Sequence, residues 1–266
     1  MTESTGNIFE NYKRAVEGLV VALSKTQAIE LSIHPSKGMI SPASIKKLYK
    51  SLSCDGWKNQ VGTNWIWRTE VGNAAPKNSS KEVLLERAVA GQDLEKWTYQ
   101  MSTSSGVQIV QGKTRKINLF SRKSIDLVRF IKSRHYAFVE LKVGSNNPLY
   151  AAFEILGYAL AYLHARTNAW SGAGEHDVFD AEKIELTILG PKNWHMYGEN
   201  IEYKLDWLAE QIAASLNDFV KSEFKNKLIF SMKFRQFPEG DLDSTEDIEQ
   251  RAIEVNRLAA REWWKC

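Results

Sequence analysis

The segment Phe138-Val139-Glu140-Leu141-Lys142-Val143 places a carboxylate and an ammonium two residues apart in an otherwise apolar run. Side chains of a strand alternate between its faces. Val139, Leu141 and Val143 therefore share one face, and Phe138, Glu140 and Lys142 share the other. Upstream, Asp126 lies in Ser124-Ile125-Asp126-Leu127-Val128. A hairpin turning at Ser133 pairs residues whose numbers sum to 266, which sets Asp126 opposite Glu140; a slip of one residue would undo it. Directly opposed residues carry Cβ atoms roughly 4.5–5.5 Å apart. Two anions ~4 Å apart repel by about 4 kcal/mol at an effective dielectric of about 20. Lys142 offsets part of that, and a divalent cation would offset the rest. Mg²⁺, with Mn²⁺ as its substitute, takes one or two carboxylates together with waters and phosphate oxygens. The chemistry that follows is phosphodiester hydrolysis. Asp126 and Glu140 hold the metal, and Lys142 orients the attacking water or meets charge on the phosphate. The plainer reading is an ion pair on an edge strand, with Asp126 incidental. The apolar Val139, Leu141 and Val143 favour a central strand, where an unexplained polar pair is costly.

Charge distribution adds a partner. Between Lys113 and Lys142 nine Lys/Arg stand against two acids, Asp126 and Glu140. A basic stripe beside the acid pair suits a nucleic-acid backbone, with Lys113, Arg115, Lys116, Arg122 and Lys123 as the phosphate-binding residues. Residues 239–249 hold six acids and no base, a segment able to mimic DNA or cover a cleft.

These residues need a scaffold, and hydrophobic periodicity outlines one. Helices are expected over 8–31, 43–52, 82–90, 148–166, 200–224 and 245–264. Strands are expected over 97–101, 107–111, 116–120, 124–131, 136–143, 183–191 and 227–237. Ser79-x-x-Glu82 has capping-box spacing at the start of the third helix. The order predicts an α/β (α+β) fold with a mixed central sheet: an antiparallel meander, then a strand–helix–strand crossover that brings a parallel pair. Three parts are expected: a mainly helical N-terminal lobe over 1–78, a core over 79–237, and an acidic loop with a C-terminal helix over 238–266.

At Ile125-Asp126 and Glu140-Leu141-Lys142 the chain resembles the PD-(D/E)xK nuclease superfamily. Its pattern is an acid on one strand and acid-x-Lys on the next, followed by a helix. The resemblance spans roughly residues 80–190. It implies a restriction-endonuclease-like αβββαβ core and a Mg²⁺-dependent endonuclease acting on DNA, with RNA left open. It also implies a role such as the effector of a restriction or phage-defence system. A further metal-binding acid on the first core helix is carried over to Glu86, with Glu82 as the other candidate. Glu154 and Tyr158 match the spacing of a Gln-xxx-Tyr motif that supports the site in one branch, with Glu in place of Gln. Ile125 stands where the motif usually has Pro.

Other classes find no support. Cys54 and Cys266 form no metal-ligand spacing or disulfide framework. The five histidines, His34, His135, His164, His176 and His195, include no pair at i, i+4. His135 is expected at the surface, beside the turn. No phosphate-binding glycine loop or Gly-x-Ser-x-Gly is present. The run Leu149–Leu163 is too short to span a membrane and contains Glu154, and the N-terminus is polar, so a cytoplasmic protein with no membrane partner is expected. Trp57, Trp65 and Trp67 lie among basic residues and read first as core anchors, second as base-stacking platforms. A homodimer or a protein partner fits the fold by analogy. Two further readings stay open: a non-catalytic nucleic-acid-binding or scaffold subunit of the same fold, and a nuclease held silent until a partner releases it.

Overall fold

The computed structural model describes residues 40–52, 65–72, 80–103, 109–110, 113–114, 124–143, 148–167, 177–191, 196–197, 201–202, 205–224, 227–237 and 244–261. The elements run α1 (Pro42–Leu52), α2 (Lys81–Gly91), β1 (Trp97–Ser102), β2 (Ile109–Val110), β3 (Lys113–Thr114), β4 (Ser124–Lys132), β5 (His135–Leu141), α3 (Pro148–Thr167), β6 (Lys183–Pro191), β7 (Met196–Tyr197), β8 (Ile201–Glu202), α4 (Leu205–Glu223), β9 (Ile229–Phe237) and α5 (Thr245–Arg261). The expected helix over 8–31 and strand over 116–120 lie outside the described residues.

A five-stranded mixed sheet in the order β1-β4-β5-β6-β9 forms the centre. β1, β4 and β5 are antiparallel; β6 is parallel to β5, and β9 to β6. β5 is buried along its whole length, as a strand paired on both edges and covered on both faces must be. Its fellow central strand β6 reads Ile-Glu-Leu-Thr-Ile-Leu, and the crossover between them is α3.

The sheet is covered on both faces. Val128, Phe138, Ile184, Leu186, Ile188, Phe230 and Met232 pack beneath α3 and α4. Leu127, Ala137, Val139, Leu141, Leu189 and Phe237 pack beneath α2 and α5. α3 is apolar nearly all round because it is sandwiched between the sheet and its neighbouring helices.

Ile45 and Leu48 of α1, together with Trp65 and Trp67, belong to the same core as α3 and the sheet. Trp65 lies edge-on to Tyr162 with ring centroids 5.7 Å apart. These two tryptophans are core anchors; Trp57 lies outside the described residues.

Local expectations change: β5 spans His135–Leu141, so Lys142 and Val143 lie past its end rather than within the strand expected over 136–143. α4 begins at Leu205, not near residue 200, because Ile201 and Glu202 pair with Tyr197 and Met196 in a short ladder. α2 is capped at Ser80 without a side-chain cap bond, and the Glu82 carboxylate accepts the Val143 N–H at 3.3 Å; the capping-box partner Ser79 lies outside the described residues. His135 is 9% exposed rather than a surface residue. Burial first, then Lys183, Lys132 and Lys233, push its pKa down to about 4, so the ring is neutral.

No helix among the described residues is long and apolar enough to cross a membrane.

Candidate functional site

β4 and β5 pair antiparallel in the register expected from a turn at Ser133. Leu127 faces Val139, Val128 faces Phe138, Arg129 faces Ala137 and Phe130 faces Tyr136, so paired numbers sum to 266. An irregularity between Phe130 and Lys132 shifts the pairing only beside the turn. The ladder ends at Leu127 and Val139, and beyond it Asp126 lies close enough to Glu140 for its charge to raise the Glu140 pKa. Here the ladder gives way to a side chain: Asp126 Oδ2 accepts the Leu141 N–H at 2.8 Å. Lys142 continues the sheet by donating its N–H to the Leu189 carbonyl at 2.9 Å, which holds its Cα at the end of β5.

The neighbouring strand is deformed at the same level. Gln100 has φ 45°, rare for a residue with a side chain. Met101 and Ile125 pair and enter the core beneath α3, whereas Tyr99 and Leu127 pair and enter the core beneath α2. Regular alternation would leave each pair's two members and their i+2 neighbours on one face. The break falls at Gln100 and Asp126, so the acid sits where the strand changes which layer it feeds. Irregularities of this kind commonly re-aim a side chain. Gln100 also hydrogen-bonds Glu86 of α2. Neither role was legible in the sequence, because nothing in the residue type Gln announces a positive φ.

Glu140 is 2% exposed and Glu86 3%. Lys142 donates to Glu140 Oε1 and lies 3.2 Å from Glu154 Oε2 on α3. Glu140 Oε2 and Glu86 Oε2 are buried with no hydrogen-bond partner among the described residues. A buried carboxylate oxygen left without a donor is costly and calls for a proton or a cation.

The protonation pattern follows. Burial, then Asp126 and Glu154, hold the Glu140 pKa well above the usual carboxylate range. Burial raises Asp126 to about 7, although Lys142 and the Leu141 N–H pull it down. Burial, then Asp126, raise Glu86 to about 9. Burial alone would lower Lys142, but Glu140, Glu154 and Asp126 together outweigh it and raise its pKa. Lys142 is thus charged, Glu140 and Glu86 are held toward their protonated forms, and Asp126 titrates at about 7. Tyr158, one turn beyond Glu154, is shifted upward by burial and then by Glu140, Glu154 and Asp126, so its hydroxyl stays protonated beside them.

Asp126, Glu140, Lys142, Glu154 and Tyr158 therefore interact as one cluster, and Glu86 reaches it electrostatically from α2. Among the described residues, no group of three or more His, Cys, Asp or Glu side chains is arranged to hold a metal ion. A cation at the strand pair would rest on two carboxylates and on ligands from outside the protein, the number Mg²⁺ commonly takes. Glu82, the other helix acid, is engaged with the Val143 N–H. Lys113 lies in β3; Arg115, Lys116, Arg122 and Lys123 lie outside the described residues.

Comparison of the chain with protein-family models, with curated proteins and with solved structures finds no match.

Proposed function

We propose that this protein is a metal-dependent nuclease hydrolysing phosphodiester bonds in DNA, with a PD-(D/E)xK-type site on a restriction-endonuclease-like core. The observation that carries the reading is the electrostatic cluster that Asp126 of β4 and Glu140 of β5 form with Lys142, in which one buried Glu140 oxygen has no donor among the described residues. The order α2-β1-β4-β5-α3-β6, with the parallel pair across α3, supports the fold assignment.

Asp126 and Glu140 would hold the ion, and the buried Glu140 Oε2 fits a cation because it accepts from no donor among the described residues. Mg²⁺ bound there would polarise the phosphate and lower the pKa of water. The chain supplies the rest. Leu141 fixes the Asp126 carboxylate, so that its second oxygen keeps a set direction. Lys142 is a charged donor held at the strand end, placed to orient the attacking water and to meet charge building on the phosphate. Glu86, while it keeps its proton, adds no charge that would repel the other acids; once ionised it adds attraction for the cation. Tyr158 closes the inner wall of the site.

A second reading, a scaffold subunit of the same fold, is favoured by one observation: no three-acid metal group is assembled among the described residues. The two are separated by incubating plasmid and linear DNA, and RNA, with the purified chain and Mg²⁺ or Mn²⁺. The nuclease reading expects cleavage by wild type that disappears in Glu140→Gln and Lys142→Met. Protein that binds nucleic acid but cuts nothing, alone or with its partner, supports the scaffold.

A further inference from the structure

Lys142 is shared. Its ammonium donates to Glu140 Oε1 on the buried side and reaches Glu154 Oε2 at 3.2 Å on the other. The two carboxylates differ in setting. Glu140 is almost fully enclosed, whereas the Glu154 side chain is 30% exposed. Along the first two turns of α3, Tyr150 and Glu154 are the positions that are not buried. Glu154 therefore marks the open side of the cluster, and its backbone belongs to a helix packed on nearly every face.

A cation drawn to the orphaned Glu140 Oε2 would meet an ammonium already on the same carboxylate. Like charges on one buried group repel strongly. The ammonium needs another anion within reach, and Glu154 is that anion. An amide at position 154 could accept a hydrogen bond but could not neutralise the charge. The count is consistent: three carboxylates, Asp126, Glu140 and Glu154, balance one ammonium and one divalent ion.

Resting on the metal-dependent reading above, we infer that Glu154 is the second berth of Lys142. When a cation occupies Glu140, the ammonium shifts onto Glu154, toward the open side where substrate arrives. Glu154 then sets how readily the site accepts a cation and where the lysine stands. It is a positioning residue, acting through Lys142.

The test is a calorimetric titration with Mn²⁺ of wild type, Glu154→Gln, Lys142→Met and the double variant, each first checked for a wild-type fold by circular dichroism. Glu154→Gln is expected to weaken Mn²⁺ binding by about 10–100-fold, the usual effect of removing a residue that supports a metal ligand. Lys142→Met is expected to tighten it. In the Lys142→Met background, Glu154→Gln is expected to change affinity far less than it does alone. Binding by Glu154→Gln equal to wild type, or an undiminished loss in the double variant, overturns the inference while leaving the metal reading intact. No Mn²⁺ uptake by wild type overturns both.

Discussion

The carboxylate of Asp126 takes the Leu141 N–H at 2.8 Å, at the level where the ladder between β4 and β5 would otherwise close on Glu140. One side chain thereby does two things. It terminates the antiparallel pairing and fixes an acid beside the partner strand's acid.

That bond separates two substitutions of Asp126. Asp126→Asn keeps an acceptor for Leu141, so the fold is expected to survive; above pH 7 the metal-free variant should be at least as stable as wild type, because a repelling charge is gone. Asp126→Ala leaves the Leu141 N–H unsatisfied and is expected to cost about 1–3 kcal/mol. Urea denaturation of both variants checks the difference. Both should lose cation binding and cleavage. Equal stability of the two would contradict the role given to the bond.

Cation binding should depend on pH. Asp126 titrates at about 7 and Glu86 at about 9, each pushed up first by burial. Below these values the metal must displace protons. Mn²⁺ affinity is expected to rise with pH across neutrality and binding to release protons, measured by calorimetry in buffers of different ionisation enthalpy. Stability of the metal-free protein runs the other way. A carboxyl whose folded pKa lies above its unfolded value, ~3.9 for Asp, contributes stability that is full below that value. This contribution is lost as pH rises through about 7. Added cation should return it. A pH-independent affinity would contradict the assignment.

Lys142 pairs with Glu140 in a buried setting. Lys142→Met leaves the acids to repel one another, and removal of one partner of a buried pair costs about 3–5 kcal/mol. The loss should be largest above neutral pH and small in mild acid, where the carboxyls are protonated. Thermal melts across that range test this. A uniform loss at every pH would point to packing rather than charge.

Gln100 carries a positive φ and a bond to Glu86. Gln100→Gly removes the strain and the bond together, and its fold should be retained. Gln100→Val is expected to destabilise by about 1–3 kcal/mol, since a β-branched residue resists that conformation. Comparison of the two by denaturant titration tests the backbone claim. Catalysis should fall in both if Gln100 orients Glu86.

Much of the cluster was legible because strand physics is simple. Period-two alternation and the residue count from Ser133 predicted the β4–β5 register, and the pairs from Leu127–Val139 to Phe130–Tyr136 have it. The antiparallel β4–β5 hairpin and the crossover followed from element order, whereas β2, expected within the meander, pairs with β3 in a separate ladder and β1 pairs directly with β4. What escaped has specific causes. The face change at Gln100 and Asp126 depends on a backbone torsion that composition does not encode. Glu82 has capping spacing, but a backbone N–H from the distant Val143 captured it. His135 sits beside a turn, yet the end of β5 is enclosed by its neighbours. Tertiary contacts decided each of these.

The most direct test is anomalous diffraction from crystals soaked in Mn²⁺. The account predicts a peak between the carboxylates of Asp126 and Glu140, absent in Glu140→Gln crystals. Crystals that diffract well and show no peak there, or a peak that persists in Glu140→Gln, would contradict it.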